Sequence, residues 1–251
     1  MTRGVPVIIP YRQDMSHGDM ELKFALRSVD ANLDGVSDVI IVGDAVPDWL
    51  VGVSWYKVPD ESGNADTNIL RKLSYVLDRE PGIDRFILMA DDNVVAGRLK
   101  ADRSFPVVRN CRGSDKFPFS VYTNRWGRRM HATFDWIGQM GWPVPDCNWD
   151  SHCPQMFSAE NIRGHIGELP LDTEYGVCSY TALRMLEYDG KPPMGVPQSE
   201  VKRTITHKDR KQPYFDKLFL GYDDSGWNED LICALADRFT RSSRWEMPDY
   251  G

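Results

Sequence analysis

No run in this 251-residue chain approaches the roughly 20 apolar residues that cross a bilayer, so a membrane-spanning protein is not expected. The opening "MTRGVPVIIPYRQD" has only a short apolar stretch and no small-residue cleavage site, so it reads as a first strand rather than a secretion signal, and a cytoplasmic protein is expected. The five cysteines, Cys111, Cys147, Cys153, Cys178 and Cys233, are odd in number and include no C-x-x-C pair. That excludes a zinc knuckle and gives no sign of a disulfide framework. No G-x-G-x-x-G follows the first apolar run, and no G-x-x-x-x-G-K-[ST] occurs anywhere. The first absence argues against an ordinary dinucleotide fold, and the second excludes a P-loop.

What is present is an α/β alternation over the first hundred residues. The runs 5–10 "VPVIIP", 38–44 "DVIIVGD", 52–59 "GVSWYKVP" and 84–90 "DRFILMA" read as strands. Between them, 20–33 places Leu22, Ala25, Leu26, Val29 and Leu33 at helical spacing, with Asp19 as its expected cap. The segment 67–80 does the same with Ile69, Leu70, Leu73, Val76 and Leu77. Val- and Ile-rich strands separated by amphipathic helices predict a mostly parallel central sheet with helices on both faces. Beyond residue 100 the pattern is irregular and rich in Trp, Gly and Pro. Helices are expected at about 157–166, 178–188 and 228–239, with a long loop at 189–200. One continuous domain over 1–251 fits, its half 1–100 holding a nucleotide and its loop-rich half 101–251 shaping a second substrate.

Ligands of open α/β sheets bind at the carboxyl ends of strands. The fourth strand stops there abruptly in "RFILMADDNVVAG", where Asp91 and Asp92 follow an apolar run. Two readings compete, a surface turn, for which Asp and Asn are suited, and a divalent-cation site. The position of the motif favours the second, with Mn²⁺ or Mg²⁺ bound by carboxylate oxygen and carrying a diphosphate.

An acidic motif after the fourth strand, without a glycine loop, resembles the GT-A class of nucleotide-sugar glycosyltransferases, in which such a motif anchors the ribose and the metal-bound diphosphate. This chain reads Asp-Asp-Asn where that class commonly has D-x-D. A more local resemblance is to the Stealth proteins, GT-A-type sugar-phosphate transferases. It rests on "ELKFALRSV", "VIIVGDAVPDWL", "FILMADDN" and "HCPQMF", in the same order over roughly residues 5–190. The opening "IPYRQD" departs from the "WVDG"-like strand end of those proteins.

The resemblance implies a GT-A-like (Rossmann-like) fold, a nucleotide-diphosphate sugar donor of UDP type, and a metal-dependent glycosyltransferase. It places Pro10, Tyr11 and Arg12 beside the base and ribose, Asp44 near the base, and Asn68 and Lys72 facing the nucleotide. The late histidine of the Stealth pattern matches His152, which lies beside Asp150 and is suited to metal ligation or to acid/base work. His207 is the rival metal ligand. A catalytic base for the acceptor hydroxyl would come from Asp150, Asp172 or Glu174, which the residues alone do not rank. Trp126, Trp136, Trp142 and Trp149 divide between core packing and stacking on a sugar or base.

Net charge is −7, yet 98–129 carries nine basic against two acidic residues and 202–217 six against two. Clustered basic residues are the footprint of an anionic partner, and DNA bearing hydroxymethylated bases is one candidate acceptor. A glycan accepting a sugar phosphate is the alternative, and a non-catalytic sugar-nucleotide or glycan-binding module is the non-enzymatic one.

Overall fold

The computed structural model describes residues 4–13, 19–110, 124–206 and 213–248. In chain order the elements are β1 (Val5–Tyr11), α1 (Met20–Asn32), β2 (Leu33–Asp34), β3 (Val36–Gly43), β4 (Ser54–Lys57), α2 (Ala65–Arg79), β5 (Arg85–Leu88), β6 (Asn93–Val95), β7 (Leu99–Lys100) and β8 (Val108–Arg109). There follow α3 (Arg125–Gln139), β9 (Gln155–Ser158), α4 (Ala159–His165), α5 (Ser179–Glu187), β10 (Val196–Pro197), α6 (Gln198–Val201), β11 (Lys202–Ile205), β12 (Phe219–Tyr222) and α7 (Glu229–Arg238).

The central sheet runs β4-β3-β1-β5-β9, with every pair parallel except β5 with β9. Alternation within its strands separates two cores. Ile8, Ile40, Val42, Phe86 and Leu88 face one layer with α2, α3, α4 and α5. Val7, Ile9, Val39, Ile41, Ile87 and Met89 face the other, with Leu22, Ala25, Leu26 and Val29 of α1. A one-residue slip would exchange the two sets, so the pattern pins the register. Helices thus cover both faces, as the alternation of strands and helices predicts. A second sheet, β11-β12-β6, pairs β12 parallel to β11 and antiparallel to β6. It packs Val94, Ile205 and Leu220 against Leu231 and Leu235 of α7. No helix among the described residues is long and apolar enough to cross a membrane.

Several expectations need correction. Residues 125–139, read as irregular, form α3. Its glycines and basic residues mask the period, but Met130, Phe134 and Ile137 lie on one buried stripe, and Asn124 caps Gly127 N at 2.8 Å. The expected helix at 157–166 begins as the strand β9, whose Phe157 stacks on Phe86 at 5.6 Å. The loop 189–200 carries β10 and the start of α6. Asp19 occupies the cap position of α1 at φ 60° without a side-chain capping bond, and its carboxylate accepts from the Tyr11 hydroxyl instead.

Candidate functional site

The antiparallel entry of β9 assembles the site. Leu88, the last residue of β5, pairs with Gln155, the first of β9. The chain leaving β5 through Met89 and Ala90 toward Asp91 and Asp92 therefore runs beside the chain arriving through Asp150, Ser151 and His152. Here, at the carboxyl end of the parallel strands, a cavity of about 580 Å³ is lined by Asp92, Asp150 and His152 together with Asn110, Asn124, Trp126, Gln198, Lys202, Thr204, Gly221, Tyr222 and Asp223. Three residues singled out from two separate parts of the sequence meet in one hollow. A larger hollow of about 930 Å³, at the opposite amino ends of the strands, contains none of the expected site residues.

The loop before β9 is held rigidly from below. Buried Arg184 of α5 donates from Nη2 to Gln155 Oε1 at 2.6 Å, and Gln155 Nε2 donates to Trp149 O at 2.9 Å and Ser151 Oγ at 2.8 Å. Asp150 is buried, accepts from Trp126 Nε1 at Oδ2 (2.6 Å), and lies 3.3 Å from His152 Nε2 through Oδ1. The His152 imidazole is itself 68% exposed, so a buried carboxylate orients a ring that reaches solvent. Its backbone sits at φ 44°, a left-handed conformation sparsely used by non-glycine residues and common at functional sites.

Asp92 is half-buried, and its Oδ1 accepts from Asn93 Nδ2 at 2.5 Å. Burial pushes its carboxyl up from the ordinary range, while the Lys202 ammonium and His152 oppose that rise. Asp91 does not line the cavity. Burial, then the Asp92 charge, then Glu21 push its carboxyl up to about 7. Of the two adjacent aspartates, only Asp92 lines the cavity. His207 lies outside the described residues.

The residues expected to face a nucleotide lie outside the cavity. Pro10 and Tyr11 end β1, Arg12 follows it and Asp44 follows β3, at the expected edge of the sheet, yet none lines the cavity. Asn68 and Lys72 are corrected. Asn68 donates to Ser62 O at 2.8 Å and accepts from Ser62 N at 3.0 Å, closing the loop before α2. Lys72 is 3% exposed, donates to Tyr11 O at 2.9 Å and pairs with Asp60 at 2.7 Å. Both are framework residues. Of the candidate bases, Asp172 pairs with Arg71 at 2.6 Å and is exposed, and neither it nor Glu174 lines the cavity. Trp136 and Trp149 are core, Trp142 packs edge-on against Trp136, and Trp126 alone of the four reaches the site.

The described basic residues do not form one face. Arg103 lines the hollow at the amino ends, Arg125 donates to Gly63 O at 2.5 Å, and Arg128 donates to Tyr175 Oη at 2.9 Å. Arg129 pairs with buried Asp66, Arg203 with Asp216, and Lys202 is buried in the cavity wall.

Lys202, Gly221 and Tyr222 are site residues that the sequence reading did not single out. A signal was there, since "KLFLGYDD" repeats the form of "RFILMADD", an apolar run halted by two aspartates. Both strand ends reach the same cavity.

The cavity wall is rich in oxygen atoms. Among the described residues no three His, Cys, Asp or Glu side chains gather closely enough to hold a metal. The wall nonetheless carries three carboxylates, Asp92, Asp150 and Asp223, against one ammonium, Lys202. Asn93 Oδ1, beside Asp92, is buried with no hydrogen-bond partner. This oxygen-rich, net-negative donor set fits a Mg²⁺- or Mn²⁺-like ion whose shell is completed by phosphate and water, the usual manner for such ions.

The fold and site define an α/β protein with a polar cavity at the carboxyl edge of a mostly parallel sheet. In comparison with known proteins, no family model matches the chain and no curated protein matches it.

Proposed function

We propose that the cavity is the active site of a metal-dependent glycosyltransferase of GT-A-like arrangement, moving a sugar from a nucleotide-diphosphate donor to a hydroxyl acceptor. The observation that carries this reading is the convergence of Asp92, Asp150 and His152 in one cavity at the end of the parallel strands. The charge of the wall agrees with it. A diphosphate does not enter a hollow lined by three carboxylates and one ammonium unless a cation accompanies it.

Asp92 would hold Mn²⁺ or Mg²⁺ jointly with the donor phosphates. The ion would supply Lewis-acid stabilisation of the charge that develops on the leaving diphosphate. His152 takes the proton of the acceptor hydroxyl. Asp150, fixed by Trp126, orients the imidazole and stabilises the imidazolium, the arrangement of a base held by a third group. The acceptor oxygen bonds to the anomeric carbon as the bond to the phosphate oxygen breaks, and the electron pair leaves with the diphosphate. Trp126 also offers an apolar surface at the cavity wall for a sugar ring.

A panel of nucleotide sugars with and without Mn²⁺, read by thermal shift, tests the reading. A ligand that binds only the native state raises its apparent stability by mass action. One donor class is expected to raise the melting temperature only when Mn²⁺ is present. A flat response across the panel rejects the proposal. Among active donors, a plain glycoside product distinguishes sugar transfer from sugar-phosphate transfer, which leaves a phosphodiester.

A further inference from the structure

Lys202 opens β11 inside the cavity wall, and its side chain is committed in an unusual way. Its Nζ donates to Ser151 O at 3.1 Å and to His152 O at 2.5 Å, the two carbonyls that bracket the left-handed residue. Lys202 is 8% exposed, and its charge faces Cys153, Asp92 and Asp150. The opposite strand leaves a channel for it. At Gly221 of β12 a Cβ would stand 2.6 Å from Lys202 Cε and 2.8 Å from Nζ, too close for any other residue while the lysine keeps its path. Gly221 pairs in register with Asn93, the neighbour of Asp92. The small sheet thus brings an ammonium, and the gap it needs, to the back of the His152 turn.

We infer that Lys202 is a positioning residue for this site. By bonding the Ser151 and His152 carbonyls it holds His152 in its left-handed backbone and so directs the imidazole toward Asp150, while its ammonium lies near Asp92 as a counter-charge. The reason for a lysine is geometric. A left-handed non-glycine residue is strained and persists only where its surroundings over-determine it. Charge-assisted bonds to both flanking carbonyls, worth more than neutral ones, supply that constraint.

The inference rests on the reading of the cavity as the active site, but its test separates from that reading. In ¹³C,¹⁵N-labelled protein, Lys202→Met is expected to move the His152 Cα, carbonyl and imidazole resonances while signals from the central sheet stay in place. Gly221→Ala, which keeps the charge and displaces the chain, is expected to move the same His152 signals. In the native protein, contacts between the Lys202 ε-methylene and His152 are expected in NOE spectra, and this arm stands even if both variants fail to fold. Binding of UDP with Mn²⁺ is expected to weaken about 10-fold or more in Lys202→Met, the scale seen when a supporting residue of a metal site is removed. Unmoved His152 signals in folded variants, or no such NOE in the native protein, overturn the inference. Failure of native protein to bind any nucleotide with Mn²⁺ overturns the proposed function and leaves the spectroscopic result to decide on Lys202.

Discussion

The Trp126 indole reaches from the first turn of α3 to give Asp150 Oδ2 a 2.6 Å hydrogen bond, so a residue of a helix clamps the acid beside His152. A bond to a charged acceptor contributes about 1.5–3 kcal/mol. Trp126→Phe keeps the ring and deletes the donor. Steady-state kinetics are expected to show kcat lowered about 10-fold, with donor KM changed little, because the lost bond orients the base rather than binding the nucleotide.

Asp91 and Asp92 are adjacent but are expected to respond oppositely to mutation. Asp92→Ala should weaken Mn²⁺-dependent nucleotide binding by more than about 100-fold, since a ligand counts for at least as much as its supporting shell. Asp91→Ala should leave that binding within about threefold of native, because Asp91 does not line the cavity. Calorimetric titration of both variants checks the split.

The Asp91 carboxyl also predicts a pH dependence. Its folded pKa of about 7 lies above the ordinary 3.8, so the folded state holds a proton that the unfolded chain releases. The stability from this group is complete below pH ~4 and is lost as pH rises through about 7. Asp91→Asn should therefore be more stable than native protein at pH 8.5, by about 1–2 kcal/mol, and lose that advantage at pH 4. The figure sits below full linkage because the carboxyl keeps solvent contact. Urea denaturation at the two pH values measures it.

Arg184 is buried, pairs with Glu187, stacks over Phe157 at 4.2 Å and holds Gln155 beneath the loop before β9. Arg184→Met leaves Glu187 buried and unpaired, which costs about 3–5 kcal/mol. Thermal denaturation is expected to show the largest loss of any variant named here.

Lys72→Met tests the correction made to the sequence reading. Its partners are Asp60 and the Tyr11 carbonyl. Stability should fall by about 1–3 kcal/mol, the cost of leaving such partners unmatched, while Mn²⁺–nucleotide affinity stays within about twofold. A large loss of affinity in a folded Lys72→Met protein would return this lysine to the nucleotide site.

Much was legible in the sequence where contacts are local. Val- and Ile-rich runs and three/four-spaced helices over 5–90 foretold the layering, because a strand covered by helices on both faces is apolar on both faces. The abrupt halt of the apolar run before Asp91 pointed to the carboxyl edge of the sheet, and the Stealth-like "HCPQMF" pointed to His152. Tertiary structure decided the rest. Only the antiparallel pairing of Leu88 with Gln155 brings Asp150 and His152 beside Asp92. That pairing joins residues 67 positions apart by backbone hydrogen bonds that leave no periodic trace. Only burial shows that Lys72 and Asn68 are struts, since an amine at a strand end reads alike whether its partner is a diphosphate or Asp60. Lys202 was hidden for the same reason. Its charge counted toward a basic stretch, whereas its position, set by β12 and the absent side chain of Gly221, turns it inward to the carbonyls of Ser151 and His152.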